Sequence, residues 1–399
     1  MSISTRHLVI TSDYLEDLLA AREPSGPLVG RAADGGMVLQ LGTGLSGESA
    51  ELPGGWWRSA EGLEEALPGL AAGSLAAYLE PEPHFFSVTE EHRVEPVTFE
   101  TVRLYTDYYN RSQGLFDRSV LNSKKVAVVG LGTGGSFIAA ELARAGVGHF
   151  ILIDFDRLQA HNLARHVCGL ADLGRFKTDA LRDYLYNASP VVKVDTHCLD
   201  ITADPLLLPD ILAGCDLIIG ATDSEEAKMK LNRAAWKLAI PAIYGAAYEL
   251  GFGGDIFLAE PPAGACYACF RQQTEELFGE YPHEPIQSYG KERPQPALGL
   301  DVHFIGLIAA RMALTVLLRD DPESRFEEFP ANWVLWGTQV QPGWLFERPL
   351  QSDFVQIEPD PCCPVCHEEE YNRQMLGMSA AEINAEASEL LKSLTSYNG

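Results

Sequence analysis

Basic residues are scarce in this chain. Thirty Lys and Arg stand against 56 Asp and Glu among 399 residues, a formal net charge of −26. Such a charge repels phosphate backbones and anionic headgroups, so neither nucleic acid nor a membrane surface is expected as a partner. No apolar run continues unbroken for about 18 residues, so no transmembrane helix is expected. The opening stretch acquires acids early, at Asp13, Glu16 and Asp17. It lacks a basic start, an apolar core and a cleavage site, so no signal peptide is expected and a cytoplasmic setting is. Cysteine is sparse, eight in all. Cys168, Cys198 and Cys215 stand singly, whereas Cys266, Cys269, Cys362, Cys363 and Cys366 fall in two tight clusters. That is a metal-like spacing rather than a disulfide framework. Internal repeats and low-complexity tracts are also missing.

What is present is an ordinary globular balance, 46% hydrophobic and 22% charged, at a length suited to two or three domains. Residues 1–100 read as a small α+β domain. Its expected elements are a helix over Tyr14–Arg22, strands over Gly26–Ala32 and Gly36–Leu41 joined by an Ala-Asp-Gly-Gly turn, a helix near Ala60–Leu67 and a strand ending at Phe86. Residues 101–123 read as a linker helix that opens a domain running to 373. Residues 374–399 read as a C-terminal amphipathic helix, with Ala380, Ile383, Ala387, Leu390, Leu391 and Leu394 on one face. Within 101–373 the pattern alternates. Val126–Val129, His149–Ile153, Leu217–Ile219 and Ile240–Tyr244 are continuous apolar strands, and Ser136–Ala145 and Glu225–Leu238 are helical. Buried strands alternating with helices predict an α/β, doubly wound, mainly parallel sheet of Rossmann type.

Three constellations carry chemistry. The first is Gly130-Leu131-Gly132-Thr133-Gly134-Gly135-Ser136, which follows a strand and opens a helix. Glycines admit a phosphate close to the backbone, and the helix start supplies N–H donors and a positive dipole end. Gly130, Gly132, Thr133 and Gly135 are the candidate contacts. Asp154 closes the next strand, placed for a ribose hydroxyl, with Asp156 two residues on. By itself this loop reads first as an NAD site. The second constellation is Asn162, Arg165, Lys177 and Asp223. A nicotinamide site needs no such set beyond the ribose acid, whereas a triphosphate does. Arg165 and Lys177 neutralise phosphate oxygens and Asn162 hydrogen-bonds them. Asp223 ends a buried strand at the carboxyl edge and suits Mg²⁺ held against phosphates. For each residue alone, a surface ion pair or a helix cap is the competing reading. The third is Cys266-x-x-Cys269 with Cys363-x-x-Cys366, a spacing that closes one tetrahedral, structural zinc site and favours Cys363 over Cys362.

In order and spacing these pieces resemble the ThiF/MoeB/HesA family of the ubiquitin-activating-enzyme superfamily. The likeness covers residues 105–370 and includes Arg144-Ala145-Gly146-Val147-Gly148, Asn162-Leu163-Ala164-Arg165, Gly174-Arg175-Phe176-Lys177 and Thr222-Asp223. The resemblance implies an ATP-dependent adenylyltransferase that attaches AMP to the C-terminal carboxylate of a small ubiquitin-like protein and releases pyrophosphate. ATP, Mg²⁺ and a structural Zn²⁺ are the implied cofactors. A homodimer is implied if Arg111, in Tyr109-Asn110-Arg111-Ser112-Gln113, reaches the partner subunit's site; Ser112 interrupts the family's pattern there. Thiol-transferring relatives carry a cysteine after the first zinc pair, but residues 270–361 hold none. The expected product is therefore the acyl-adenylate, and a conjugating enzyme is a further possible partner. Cys168 is the nearest candidate for a reactive thiol, although core or surface placement is the expectation. The polar segment Glu275–Pro296 reads as a mobile crossover loop or a plain surface loop. The helix-then-hairpin opening is similar to a JAB-type isopeptidase domain without its His-x-His zinc motif, so that resemblance implies lost metal chemistry.

Competing readings differ in substrate or class. A ribosomal peptide or another small carboxylate or amide is the alternative acyl donor. An NAD-dependent oxidoreductase is a more remote reading, against which Arg165, Lys177 and Asp223 argue. A scaffold with a degenerate site is the non-enzymatic one.

Overall fold

The computed structural model describes residues 7–33, 38–42, 50–278, 296–340 and 345–375, together with 377, 381, 382 and 385. The chain divides into two compact units, 1–114 with 186–191, and 115–185 with 192–399.

The first unit holds two five-stranded sheets. One runs in the order Thr98–Val102, His7–Thr11, Val38–Leu41, Val29–Ala33, Ala50–Glu51. The expected hairpin is present in its strands, with Ala33 opposite Val38 in antiparallel register; its turn, 34–37, lies outside the described residues. The other sheet runs Ser25–Gly26, Gly54–Trp57, Leu75–Tyr78, His84–Val88, Val94–Pro96. Helix Ser12–Ala20 buries Tyr14 and Leu18, and the Tyr14 hydroxyl accepts from Val29 N at 2.7 Å. Helix Ala60–Ala66 starts where the Ser59 hydroxyl accepts from Gly62 N.

The expected single helix over 101–123 is instead two, Leu104–Tyr108 and Arg118–Ser123. The first ends at Tyr108, with Tyr109 as its C-cap; Gly114, in the turn that follows, takes φ +79°, and Asp117 caps the second helix by accepting from Ser119 N at 2.8 Å.

The second unit is built on one eight-stranded sheet. Its strands are β1 (Lys125–Val129), β2 (His149–Ile153), β3 (Lys193–His197), β4 (Leu217–Gly220), β5 (Ala242–Ala247), β6 (Gly253–Ala259), β7 (Trp333–Gly337) and β8 (Gln351–Val355). Their order is β3-β2-β1-β4-β5-β6-β7-β8. The first five are parallel, as expected of a doubly wound sheet, and β6, β7 and β8 extend it antiparallel. In β1 the side chains divide by the pleat. Val126 and Val128 enter a core with helices α1 (Thr133–Ala145) and α5 (Gly299–Leu317), and Ala127 and Val129 enter the opposite core with α3 (Glu225–Lys237). The same unit also carries helix α2 (Lys177–Ala188) as far as Leu185, and helix α4 (Tyr267–Phe278).

By length and composition α5 could cross a bilayer. Here it packs along α1, with Ile305, Ala309, Met312 and Ala313 buried. The polar segment expected from Glu275 is helical through Phe278, and 279–295 lies outside the described residues. So do the apolar positions expected on the C-terminal helix; helix α6, Glu368–Met375, ends inside that region, and 377, 381, 382 and 385 are its other described residues.

Candidate nucleotide and metal sites

The strand order reverses direction at β1, which has β2 on one side and β4 on the other. In open α/β sheets that reversal opens a crevice beyond the carboxyl ends of the strands. The chain fills its rim with the glycine loop. Gly130 N donates to Ile153 O at 2.9 Å and Ala221 N to Val129 O at 2.8 Å, so the ends of β1, β2 and β4 are pinned together. Gly130 sits at φ +86°, and a Cβ there would lie 2.7 Å from Thr222 N. A Cβ on Gly135 would lie 1.9 Å from Gly130 O. Both glycines are required by packing. Gly132 is different: nothing lies within 4 Å of its Cβ position. It is the N-cap of α1, and Thr133 is the first helical residue, so no side chain caps the N–H groups of the first turn.

Asp154 shapes the loop from the β2 side. One carboxylate oxygen accepts from Leu131 N at 2.7 Å and the other from Asp156 N at 2.8 Å. Burial raises its pKa, with the Lys177 ammonium and the two N–H donors pulling the other way. Lys177, the first residue of α2, is buried with its ammonium 3.6 Å from Asp154 and 2.8 Å from Asp156. The buried ammonium is thus already paired with two acids, and it can meet a further anion only by giving up one of them. Asn162 uses its Oδ1 to accept from Gln159 N at 2.9 Å, capping the short helix Ala160–Leu163. Arg165 is half-buried and lines a shallow pocket with His161, Ala164, Leu298 and Gly299. Asp223 is exposed just past β4, and its carboxylate makes no hydrogen bond or ion pair among the described residues. Arg111 is exposed and belongs to the first unit.

Two histidines at this site carry no signal in the sequence pattern. His166 is buried; its Nε2 lies 2.9 Å from Leu131 O, and its Nδ1 accepts from Cys168 N at 3.0 Å. Burial pushes its pKa down to about 4. The His303 Nε2 lies 2.9 Å from Arg165 O. Nothing in sequence announces the second pair, because its members are 138 residues apart. Cys168 is buried and its thiol is pushed up to about 12 by burial, which suits a core residue rather than a nucleophile.

Across the sheet, Cys266, Cys269, Cys363 and Cys366 bring four sulfurs within 4.8 Å of one another. Cys266 to Cys363 is 3.6 Å, Cys269 to Cys366 is 3.4 Å and Cys266 to Cys269 is 3.9 Å. Thiolates on a tetrahedron about 2.3 Å from a zinc ion stand about 3.8 Å apart, so this donor set could hold one. Asp360 N donates to the Cys269 sulfur and Val365 N to the Cys363 sulfur, orienting the ligands. Contacts from Cys269, then Cys363 and Cys366, hold the Cys266 thiol far below its ordinary pKa. Cys362 stands outside the cluster, its thiol on Gln374.

A profile of the ThiF family matches residues 110–342. Ubiquitin-like modifier-activating enzyme 5 of Caenorhabditis briggsae is 31% identical over 164 residues, 38% of this chain and 38% of that protein. The sulfur carrier protein adenylyltransferase of Thermus thermophilus is 27% identical over 268 residues, 65% of this chain and 88% of that protein. The chain spans less than half the length of the first curated relatives it matches. Among solved structures, Escherichia coli MccB with AMPCPP and MccA shares the fold, with a TM-score of 0.50 at 17% identity over 65% of this chain and 74% of that one.

Proposed function

Because the chain belongs to the ThiF family, we propose that it is an ATP-dependent adenylyltransferase that activates the C-terminal carboxylate of a small ubiquitin-like protein. The observation that carries this reading is the rim of the switch-point crevice. A helix start stripped of side chain at Gly132, an acid at Asp154 and a buried cation at Lys177 converge on one side of it. A helix start and a cation suit phosphates, and the acid suits a ribose hydroxyl.

In the reaction, an oxygen of the substrate carboxylate attacks the α-phosphorus. The new O–P bond forms as the bond to the β-phosphate breaks, and pyrophosphate leaves. The nucleophile is already ionised, so no general base is needed. What the chain must do is hold anions together and offset their repulsion. Asp154 binds the ribose. Lys177 exchanges its contact with Asp156 for phosphate oxygens, Arg165 meets the phosphates from the other side, and Asn162 adds a donor. Asp223 holds Mg²⁺, which when bound neutralises phosphate charge. Arg111 serves the partner's site in a homodimer. Residues 270–361 hold no cysteine, so the acyl-adenylate is the product delivered to a downstream conjugating or thiol-bearing enzyme. Zn²⁺ in the four-cysteine cluster is structural. The first unit docks the protein substrate, in a bacterial ubiquitin-like pathway in the cytoplasm.

ATP–pyrophosphate exchange by the purified chain with Mg²⁺ tests this, with and without fractions of its host's lysate. Exchange that depends on one fraction is expected, and the component purified from it separates a ubiquitin-like protein from a short peptide. ATP binding without exchange in any fraction overturns the enzymatic reading, and preference for NAD overturns the nucleotide.

A further inference from the structure

Arg165 lies in a segment without regular structure, between helix Ala160–Leu163 and the 3₁₀ turn Leu170–Asp172. Its N–H is taken by Asn162 O at 2.9 Å, which fixes only the end of the preceding turn. The carbonyl side is fixed by a side chain from far along the chain. His303, in the second turn of α5, places Nε2 at 2.9 Å from Arg165 O. A carbonyl only accepts, so that nitrogen carries the proton.

The same imidazole stacks on Phe137, centroids 4.3 Å apart and planes at 12°. Phe137 belongs to α1, the helix that the glycine loop opens. The start of α5 also runs hard by this segment; a Cβ on Gly299 would sit 3.4 Å from both Ala164 O and Arg165 Cα. On the other side of Arg165, His166 reaches back to Leu131 O inside the glycine loop. Arg165 is thus flanked by two imidazoles, and each ties it to the phosphate-binding element by a different route.

We propose that His303 is a positioning residue for Arg165: its hydrogen bond to the Arg165 carbonyl and its stack on Phe137 register the guanidinium against the glycine loop. The inference rests on the nucleotide reading above and adds a residue that touches no ligand. Its signature is selective, because Arg165 addresses phosphates while the nucleoside is held by Asp154. Losing His303 should weaken ATP and spare adenosine.

The test uses the full chain and two variants, His303→Ala and His303→Gln, the latter because its amide reaches about as far as the imidazole Nε2. Mg-ATP affinity is read by calorimetry, adenosine affinity by ligand-observed NMR, and folding by melting temperature. The Ala variant is expected to bind ATP about tenfold more weakly, the size of one misplaced charge-assisted hydrogen bond, with adenosine within about twofold of wild type. The Gln variant is expected to recover most of the loss. Wild-type ATP affinity in the Ala variant overturns the proposal. Equal loss of ATP and adenosine also overturns it, because that marks general damage, as does a Gln variant no better than Ala. A wild-type chain that binds adenosine but gains nothing from the triphosphate refutes the nucleotide assignment itself, and the positioning role with it.

Discussion

Acidification should weaken the second unit through His166. This imidazole is buried, donates to Leu131 O and accepts from Cys168 N, so it has no room for a second proton. Burial sets its pKa at about 4 against an unfolded 6.5. Below 6.5 the unfolded chain takes up a proton that the folded chain refuses. Stability is therefore lost as pH falls through 6.5 towards 4. Integrating the linkage between pH 7 and pH 5 gives a loss of about 2 kcal/mol. Asp255 works in the opposite sense. It is buried and its carboxyl is raised to about 6, burial first, with Lys228 pulling down. Its folded form takes a proton before its unfolded form does, which returns about 1 kcal/mol over the same interval. The two partly cancel in the wild type, so the useful quantity is the stability gap between wild type and His166→Gln. Gln keeps a donor towards Leu131 O and removes the titration. Urea denaturation read by hydrogen-exchange mass spectrometry on peptides covering 125–131 follows this unit alone. The wild type's advantage should shrink by about 2 kcal/mol from pH 7 to pH 5. A gap that stays constant would refute the argument.

The two kinds of glycine separate structure from ligand binding. Gly135→Ala forces a Cβ against Gly130 O at 1.9 Å and is expected to cost about 2–4 kcal/mol in denaturation. Gly132→Ala, with open space around it, should melt as wild type yet bind ATP more weakly; unchanged ATP affinity would remove phosphate from that position. Cys363→Ser should lose bound zinc, read by atomic absorption, and lower the melting temperature, whereas Cys362→Ser should keep both; equal zinc in the two variants would break the four-cysteine assignment. Asp223→Ala should abolish pyrophosphate exchange while the fold persists, and retained turnover would exclude this carboxylate as the magnesium ligand.

Local chemistry is legible in the sequence and long-range pairing is not. Continuous apolar runs at Val126–Val129 and His149–Ile153 announce strands buried on both faces, and the glycine loop between strand and helix announces the crevice. The two C-x-x-C pairs announce their cluster because cysteine at that spacing has few other uses. The break between Tyr108 and Arg118 stays hidden because one glycine in a polar stretch does not declare its φ, and the start of the second helix is set by the Asp117 cap. Lys177 reads in sequence as a phosphate ligand or a surface ion pair, and its buried partnership with Asp154 and Asp156 depends on a turn at Gly174 that brings α2 back to the end of β2. Nothing in the sequence pattern marks His303, and only its contact across 138 residues shows what it touches.

A four-cysteine site offers no open position for chemistry, so its use lies in what it holds still. Cys266 immediately precedes α4, and the first residue of that helix, Tyr267, is bound twice to α3. Its N–H donates to Asn232 Oδ1 at 3.0 Å, and its hydroxyl lies 3.1 and 3.0 Å from the two Glu225 oxygens. Asn232 is itself buried. Glu225 opens α3, whose cap is Ser224, the residue after Asp223. The path from the thiols to the loop bearing Asp223 therefore runs through two side chains and one helix turn. A metal that fixes Cys266 fixes Tyr267, hence the start of α3, hence the place from which an exposed carboxylate can face the phosphates. On this account the Cys₄ cluster and the crevice, on separate elements of the sheet, are parts of one arrangement, and loss of zinc in the Cys363 variant should weaken exchange even in molecules that remain folded.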